Sequence, residues 1–120
     1  MISDLGPILD RFLTLAGVTL AMVVGTDGLC IESAGGRDYD IDAVAAMATT
    51  GLGASQALAE EISRGRLVQA MIEFKKGLLL LEPLGDLGIL LVLAHQPSSI
   101  GQVRLVARRE RRALMDALET

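Results

Sequence analysis

The sequence predicts an α+β domain in which five strands form one sheet and helices cover both of its faces, in the order α-β-β-α-β-β-β-α. The hydrophobic period switches repeatedly between the step of a helix and the step of a strand. Three strand-like runs are apolar on both faces, as central strands between two layers of helices would be. The 120 residues have room for one compact domain, which we expect to span 1–120 without a linker or internal repeat.

The first predicted helix has apolar residues at helical spacing from Leu5 to Leu13. Ser3 or Asp4 can cap its start, and Gly17 can end the turn that follows it. A helix with this pattern buries one face against the rest of the domain.

A hairpin follows, in which an apolar strand at 18–24 leads through an Asp-Gly turn into a second strand at 29–33. Asp-Gly between two apolar runs is a strong hairpin signal, because glycine tolerates the positive φ that such turns require. Glu32 places the second strand at an edge of the sheet, whereas the first belongs in its middle.

The middle helix is predicted from Ile41 to Ile62, and it ends near Gly65. Three aspartates at its start place negative charge at the positive end of the helix dipole, where it stabilises the helix. Gly51 and Gly53 each cost about 1 kcal/mol relative to alanine inside a helix. Small neighbouring residues allow another backbone to approach, so we expect close helix packing to offset this cost.

Residues 66–74 alternate in polarity, which predicts a half-exposed edge strand. Its outer face comprises Leu67, Gln69, Met71 and Glu73, and its other face comprises Val68, Ala70, Ile72 and Phe74. An edge strand this apolar risks aggregation unless it is covered or paired. Pairing with a second copy of the chain would remove that risk.

Two further apolar runs, 78–81 and 87–94, predict central strands, and Pro83 ends the first of them. A last helix opens at 97–99 and has a broad apolar face. Glu110 falls within that face, and we look for its partner among the neighbouring arginines.

Composition argues against nucleic-acid binding and membrane insertion. The net charge is −4 and aromatic residues make up 2% of the chain, which leaves little for phosphate contacts or base stacking. The longest charge-free stretch, 43–59, contains polar residues and is shorter than the roughly 20 apolar residues of a membrane span. The N-terminus lacks the features of a signal peptide, and Cys30 has no disulfide partner, so we expect a soluble cytoplasmic protein.

No catalytic, cofactor or metal-binding constellation is visible in the sequence. Cys30 and His95 are the sole residues of their types, and we interpret them as a small core residue and a solvated strand end. The aspartates before the middle helix resemble a calcium loop, but Ala43 and Thr49 stand where that loop needs glycine and glutamate. We therefore expect neither a cofactor nor an enzyme.

The last 20 residues reverse the acidic balance of the chain. They contain five arginines against three acids, whereas the first 100 contain six basic residues against twelve acidic ones. Four arginines fall within about 100° of helical arc. They are Arg104, Arg108, Arg111 and Arg112. This stripe is either a solvated helix face suited to positive charge or a contact surface for an acidic partner.

Several segments together carry a family resemblance. They are Val23-Val24-Gly25-Thr26-Asp27-Gly28-Leu29-Cys30-Ile31, Ala54-Ser55-Gln56-Ala57-Leu58, Leu78 to Leu81 with Glu82-Pro83-Leu84, and Ile100-Gly101-Gln102-Val103-Arg104 followed by Arg108-Arg109. In this order and spacing the chain resembles the roadblock domain, the family of dynein light chains and of bacterial regulators of Ras-like GTPases.

The resemblance implies a roadblock, profilin-like fold: a five-stranded antiparallel sheet of order 2-1-5-4-3, with the middle helix on one face and the terminal helices on the other. It further implies a homodimer through the third strand and the middle helix, giving a ten-stranded sheet. Family members serve as non-catalytic platforms for small GTPases or motor complexes, and some bacterial members stimulate GTP hydrolysis. The resemblance therefore implies at most a GTPase-activating or scaffold role without a catalytic site of the chain's own. A small-ligand sensor and a scaffold subunit of a larger complex remain alternatives.

Two sets of interaction residues follow. The expected dimer interface comprises Ala48, Gly51, Leu52, Ser55, Leu67, Gln69, Met71 and Glu73. The candidate GTPase-binding residues are Ala54, Leu58 and Glu61 on the middle helix, and Arg104, Arg108 and Arg112 on the last. We favour the middle helix, because the arginine stripe lies over the opposite face of the sheet.

Overall fold

The computed structural model describes residues 4–96 and 100–119, which form helices and strands in the predicted order. The helices are α1 (Leu5–Leu13), α2 (Ile41–Glu61) and α3 (Ile100–Glu119). The strands are β1 (Val18–Val24), β2 (Cys30–Gly35), β3 (Ala70–Phe74), β4 (Gly77–Pro83) and β5 (Ile89–Ala94). They form an antiparallel sheet of order β2-β1-β5-β4-β3, which confirms the expected topology and the two edge strands.

The two faces of the sheet bury separate clusters, because successive side chains of a strand point to opposite faces. On one face, Phe12 of α1 and Leu114 of α3 share a cluster with Val23 of β1. On the other, Ala45 of α2 shares a cluster with Met22 of β1. The helices therefore divide as expected, with α2 on one face and α1 and α3 on the other.

The local signals in the sequence place the turns correctly. Gly28 has a φ of 84°, as the hairpin requires. Gly35 also has a positive φ, and a Cβ there would collide with the carbonyl oxygen of Thr19. Asp40 caps α2, since its carboxylate accepts a hydrogen bond from the Ala43 amide at 3.1 Å.

The prediction of a strand over 66–74 is wrong at its start, because 66–69 lies outside the ladder. In the β3–β4 register, Val68 would stand opposite Pro83, which has no N–H to donate. The Leu67 amide instead donates to Gln56 Oε1 of α2 at 2.8 Å. The segment is thus bonded to α2 and is not part of the β3–β4 ladder.

Other differences are smaller. The remaining strand ends lie within one or two residues of the predicted positions. The partner of Glu110 is Arg11 of α1, whose Nη1 lies 2.7 Å from Oε1, so the expectation of an arginine on α3 is wrong. Because α3 packs beside α1, the cation nearest to Glu110 in space lies on another helix and not among its neighbours in sequence. The expected caps at Ser3 and 97–99 lie outside the described residues.

Candidate functional site

Exposed apolar side chains concentrate on α2 and β3. Seven of the ten large apolar side chains that are exposed in the described parts of the chain lie between residues 47 and 74. They are Met47, Leu58, Ile62, Val68, Met71, Ile72 and Phe74. We call the exposed flank of α2 together with β3 the β3–α2 surface. Exposed apolar side chains grouped in this way make the surface a candidate for interaction with a protein partner.

β3 is exposed on both of its faces, which corrects the expectation of a half-exposed strand. Met71 and Ile72 point to opposite faces, and both are exposed. The buried residues of α2 are Ala45 and Ala48, which pack with β1 and β5. The helix therefore covers the middle of the sheet and leaves the β3 edge open.

Among the expected dimer residues on α2, Gly51 and Ser55 lie on its partly exposed side, and the Ser55 hydroxyl donates to the Gly51 carbonyl at 2.9 Å. A Cβ on Gly51 would meet no described atom within 4 Å. Ala48 is 6% exposed, and both it and Leu52 pack against the chain's own sheet. The close contact that would offset the cost of the glycines is therefore not supplied by the described parts of this chain.

Among the expected dimer residues near β3, Met71 and Glu73 are exposed and stand opposite Leu80 and Leu78 of β4. They thus project on the face that carries α1 and α3. The other two, in the segment 66–69, are already engaged within the chain through a backbone amide and a side-chain amide.

The expected partner-binding residues of α2 share one exposed face. Ala54, Leu58 and Glu61 follow at steps of four and three, which places them side by side on a helix. None of them is part of either core cluster. They are therefore available to a partner.

A groove of about 840 Å³ runs from the C-terminal half of α2, past the ends of the central strands, to α3. Gln56 and Glu60 lie on the α2 side, and Arg104, Arg108 and Arg111 on the α3 side. We call it the α2–α3 groove. Two helices that lie on opposite faces of the sheet thus border one groove around its end.

The predicted arginine stripe is divided by this geometry. Arg104 and Arg108 line the groove, together with Arg111. Arg112 is not among the lining residues, and its Nε lies 3.9 Å from Asp116 Oδ1 within α3. The groove side of α3 therefore carries three of the four predicted cations.

A buried carboxylate orders one wall of the groove. Glu82 is 7% exposed, and its Oε1 accepts a hydrogen bond from Gln69 Nε2 at 3.0 Å. Arg111 Nη1 lies 3.4 Å from Glu82 Oε2 and donates to the Pro83 carbonyl at 2.6 Å. The sequence predicted no separate role for Glu82 beyond its place in the family motif. A lone acid inside an apolar strand, in a chain with an arginine stripe, was the available signal.

The structure keeps the remaining reactive side chains apart. Cys30 pairs with Val24 at one end of the sheet, whereas His95 follows the other end of β5. Burial raises the pKa of the Cys30 thiol; a hydrogen bond with Ser33 opposes this increase, and the nearby carboxylates of Glu32 and Asp42 add to it. Within residues 4–96 and 100–119, no group of three or more His, Cys, Asp or Glu side chains is arranged to hold a metal ion. No helix in that part of the chain is both long and apolar enough to cross a membrane.

Solved structures with this fold come from several bacteria. MglB from Myxococcus xanthus superposes with a TM-score of 0.89 at 24% identity, covering 98% of this chain and 90% of that one. The gliding protein MglB from Thermus thermophilus gives 0.79 at 22% identity, covering 94% and 87%. A Roadblock/LC7 domain from Streptomyces avermitilis gives 0.65 at 27% identity, covering 92% and 97%.

Sequence relatives lie in an archaeon. Two Methanocaldococcus jannaschii proteins, MJ0310 and MJ1340, both titled uncharacterized, are each 40% identical over 93 residues, which is 78% of this chain and 81% of theirs. The model of the Roadblock/LC7 domain matches residues 5–94. The chain therefore belongs to the Roadblock/LC7 domain family.

Proposed function

We propose that the protein is a homodimeric, non-catalytic module of the cytoplasm that binds and regulates a small Ras-like GTPase. Family membership and the MglB-like fold support this class of function. The observation that carries the proposal is the open, apolar β3 edge beside a helix flank of glycine and small residues. Such a surface is suited to a protein partner and offers no chemistry of its own.

The dimer forms through the β3–α2 surface. Pairing of β3 with its symmetry copy uses the free edge of the strand and joins the two sheets into one of ten strands. A two-fold interface of this kind is self-complementary, so the same patch is buried on both copies. The open space beside Gly51 lets the partner's α2 approach closely.

Light scattering tests this assembly. We expect a mass of two 12.7 kDa chains at micromolar concentrations. A mass that stays at one chain across that range rejects the dimer.

The GTPase meets the paired α2 helices through Ala54, Leu58 and Glu61. In the dimer this face is present twice, and the groove between the copies binds one partner asymmetrically or two by symmetry. The arginine side of α3 is the competing surface, because it would attract acidic segments of a nucleotide-loaded partner.

Two charge reversals separate these surfaces in a calorimetric titration with GTP-loaded Ras-like proteins, starting with one encoded beside this gene. We expect Glu60→Lys with Glu61→Lys to weaken binding about tenfold or more, because it reverses charge beside the docking face. Arg108→Glu with Arg112→Glu should change affinity by less than about twofold. If the α3 variant alone abolishes binding while both variants dimerise, the GTPase docks on α3.

A small-ligand sensor is the second candidate, and the α2–α3 groove favours it. Its volume of about 840 Å³ falls within the range of small-molecule sites. A small molecule retained through purification, with no binding to any GTP-loaded partner, would reverse the order of the two candidates.

A further inference from the structure

Two arginines of the α2–α3 groove have no counter-charge. Arg104 and Arg108 stand one helical turn apart on α3, and both are exposed along the groove. Within the part of the chain that the structure describes, neither forms an ion pair or a side-chain hydrogen bond. Their spacing presents two guanidinium groups side by side, which suits carboxylates carried on one extended chain.

The acids that line the groove are already engaged. Glu82 is bound by Gln69 and Arg111, as described above. Asp86 Oδ1 lies 3.1 Å from Arg66 Nη2, and Glu60 Oε1 lies 3.4 Å from Gln56 Nε2. None of these acids forms an ion pair with Arg104 or Arg108, so within the described residues the charge of these two arginines is left for an external anion.

Arg111 extends this cationic wall in a fixed position. The bonds to Glu82 and the Pro83 carbonyl both use Nη1. A guanidinium has five N–H donors, so Nε and Nη2 remain for a ligand. Because these contacts hold the side chain in place, little rotamer freedom is lost when it binds.

The rest of the molecule steers an acidic partner to this wall. Residues 1–100 contain six basic side chains against twelve acidic ones, whereas 101–120 contain five against three. An acidic segment is repelled by most of the surface and attracted to α3. Apolar side chains also line the groove, among them Pro83 and Ile89. The groove thus offers both cations and apolar contacts along one path.

We propose that the α2–α3 groove binds an extended acidic segment of a partner protein, with carboxylates on Arg104 and Arg108 and apolar side chains against Pro83 and Ile89. A nucleotide fits less well, since the described lining has no aromatic side chain on which a base could stack. The site does not depend on the GTPase proposal, because neither Ala54, Leu58 nor Glu61 lines the groove.

Fluorescence anisotropy tests the site with a labelled, capped octapeptide that alternates glutamate and leucine. The full chain should bind it saturably, and the affinity should fall as salt is raised, because exposed charges are screened. An octapeptide that alternates lysine and leucine should not bind. Failure of the glutamate peptide to bind, or equal binding of the lysine peptide, rejects the proposal.

A matched pair of variants locates the binding. We expect Arg104→Glu with Arg108→Glu to weaken the peptide about tenfold or more, since two charge-assisted contacts become repulsive. Arg109→Glu with Arg112→Glu makes the same change in net charge on the same helix but outside the groove, and should change affinity by less than about twofold. Equal losses in the two variants would mean that net charge alone drives binding.

Three more measurements complete the test. Circular dichroism and light scattering should show that both variants keep the fold and the oligomeric state of the parent chain. A single-stranded oligonucleotide with the same charge as the peptide should bind more weakly than the peptide. Equal or tighter binding of the oligonucleotide overturns the proposal of a polypeptide ligand. Loss of peptide binding with intact GTPase binding would leave the proposed function standing.

Discussion

The two edges of the sheet are built in opposite ways. At the β2 edge, α1 and α2 pack against the strand, and most of its residues are half-buried. A register shift between Val23 and Val24 interrupts the β1–β2 ladder. At the β3 edge, β4 is the principal neighbour, and four of the five strand residues are exposed.

The difference separates a protected edge from an open one. Covering helices, a charged residue such as Glu32 and an irregular register are the usual means by which an edge strand avoids pairing. β3 has a regular register over its whole length and exposes Ile72 and Phe74. The β2 edge is thus protected within the monomer, whereas the β3 edge is open, as the proposed dimer requires.

Replacing an exposed apolar side chain with a charged one at each edge should give the largest difference in dimerisation. Phe74 is 51% exposed on β3, and Leu29 is 62% exposed beside β2. Phe74→Glu places two carboxylates in the proposed interface, one from each copy. We therefore expect the dissociation constant of the dimer to rise about a hundredfold, which corresponds to roughly 2.7 kcal/mol. Leu29→Glu should leave the dimer unchanged. Sedimentation velocity over a dilution series measures both, and equal effects would erase the distinction between the edges.

A bulky side chain on α2 should weaken the dimer less, while favouring the helix. Gly51 and Gly101 both lie in helices with open space around the missing Cβ. Leucine at either position gains up to about 1 kcal/mol of helix propensity. Gly51→Leu should weaken the dimer about tenfold or more by overpacking the close approach, whereas Gly101→Leu should not. A Gly51→Leu chain that dimerises as tightly as the parent would show that α2 is not at the interface.

Hydrophobic pattern and turn chemistry predicted the element order, the central strands and both edges. The sheet order came from the family resemblance, because antiparallel strands of similar composition can be arranged in several ways. Pattern alone did not predict that 66–69 leaves the ladder. This depends on Pro83 in the neighbouring strand β4 and on the side chain of Gln56 in α2. Nor did it predict the α2–α3 groove, which is formed where elements distant in sequence meet at the end of the sheet.

The buried carboxylate near the open edge should have a moderate effect on stability. Glu82→Gln removes the charge that faces Arg111 but keeps the size of the side chain. We expect the free energy of unfolding to fall by about 1–2 kcal/mol, because a charge-assisted hydrogen bond in a shielded site is replaced by a weaker one. The exposed Glu119→Gln, which lies outside the proposed interface, should change it by less than about 0.5 kcal/mol. Urea denaturation measures the free energy of unfolding of both variants. Equal losses would mean that the contacts of Glu82 with Gln69 and Arg111 do not hold 66–69 to α3.

The smallest effect concerns the thiol at the closed edge. Burial holds the pKa of Cys30 above its usual value of 9.0, so the folded chain keeps its proton where the unfolded chain begins to lose it. This contribution to stability is complete below pH 9.0, and it is lost as the pH rises from there through the folded pKa. In urea denaturation from pH 7 to pH 10, the free energy of unfolding should therefore decline, and the decline should be shallower in Cys30→Ala.

Thiol reactivity compares the same edge with the open one. Cys30 should react with a disulfide reagent at pH 8 more slowly than a thiol in the unfolded chain, at any protein concentration, because its protection comes from its own chain. A cysteine introduced by Ile72→Cys in a Cys30→Ala background should be protected only by the partner, so dilution below the dimer dissociation constant should expose it. Protection of Ile72→Cys that does not change on dilution would mean that the β3 edge is covered by something other than a second copy.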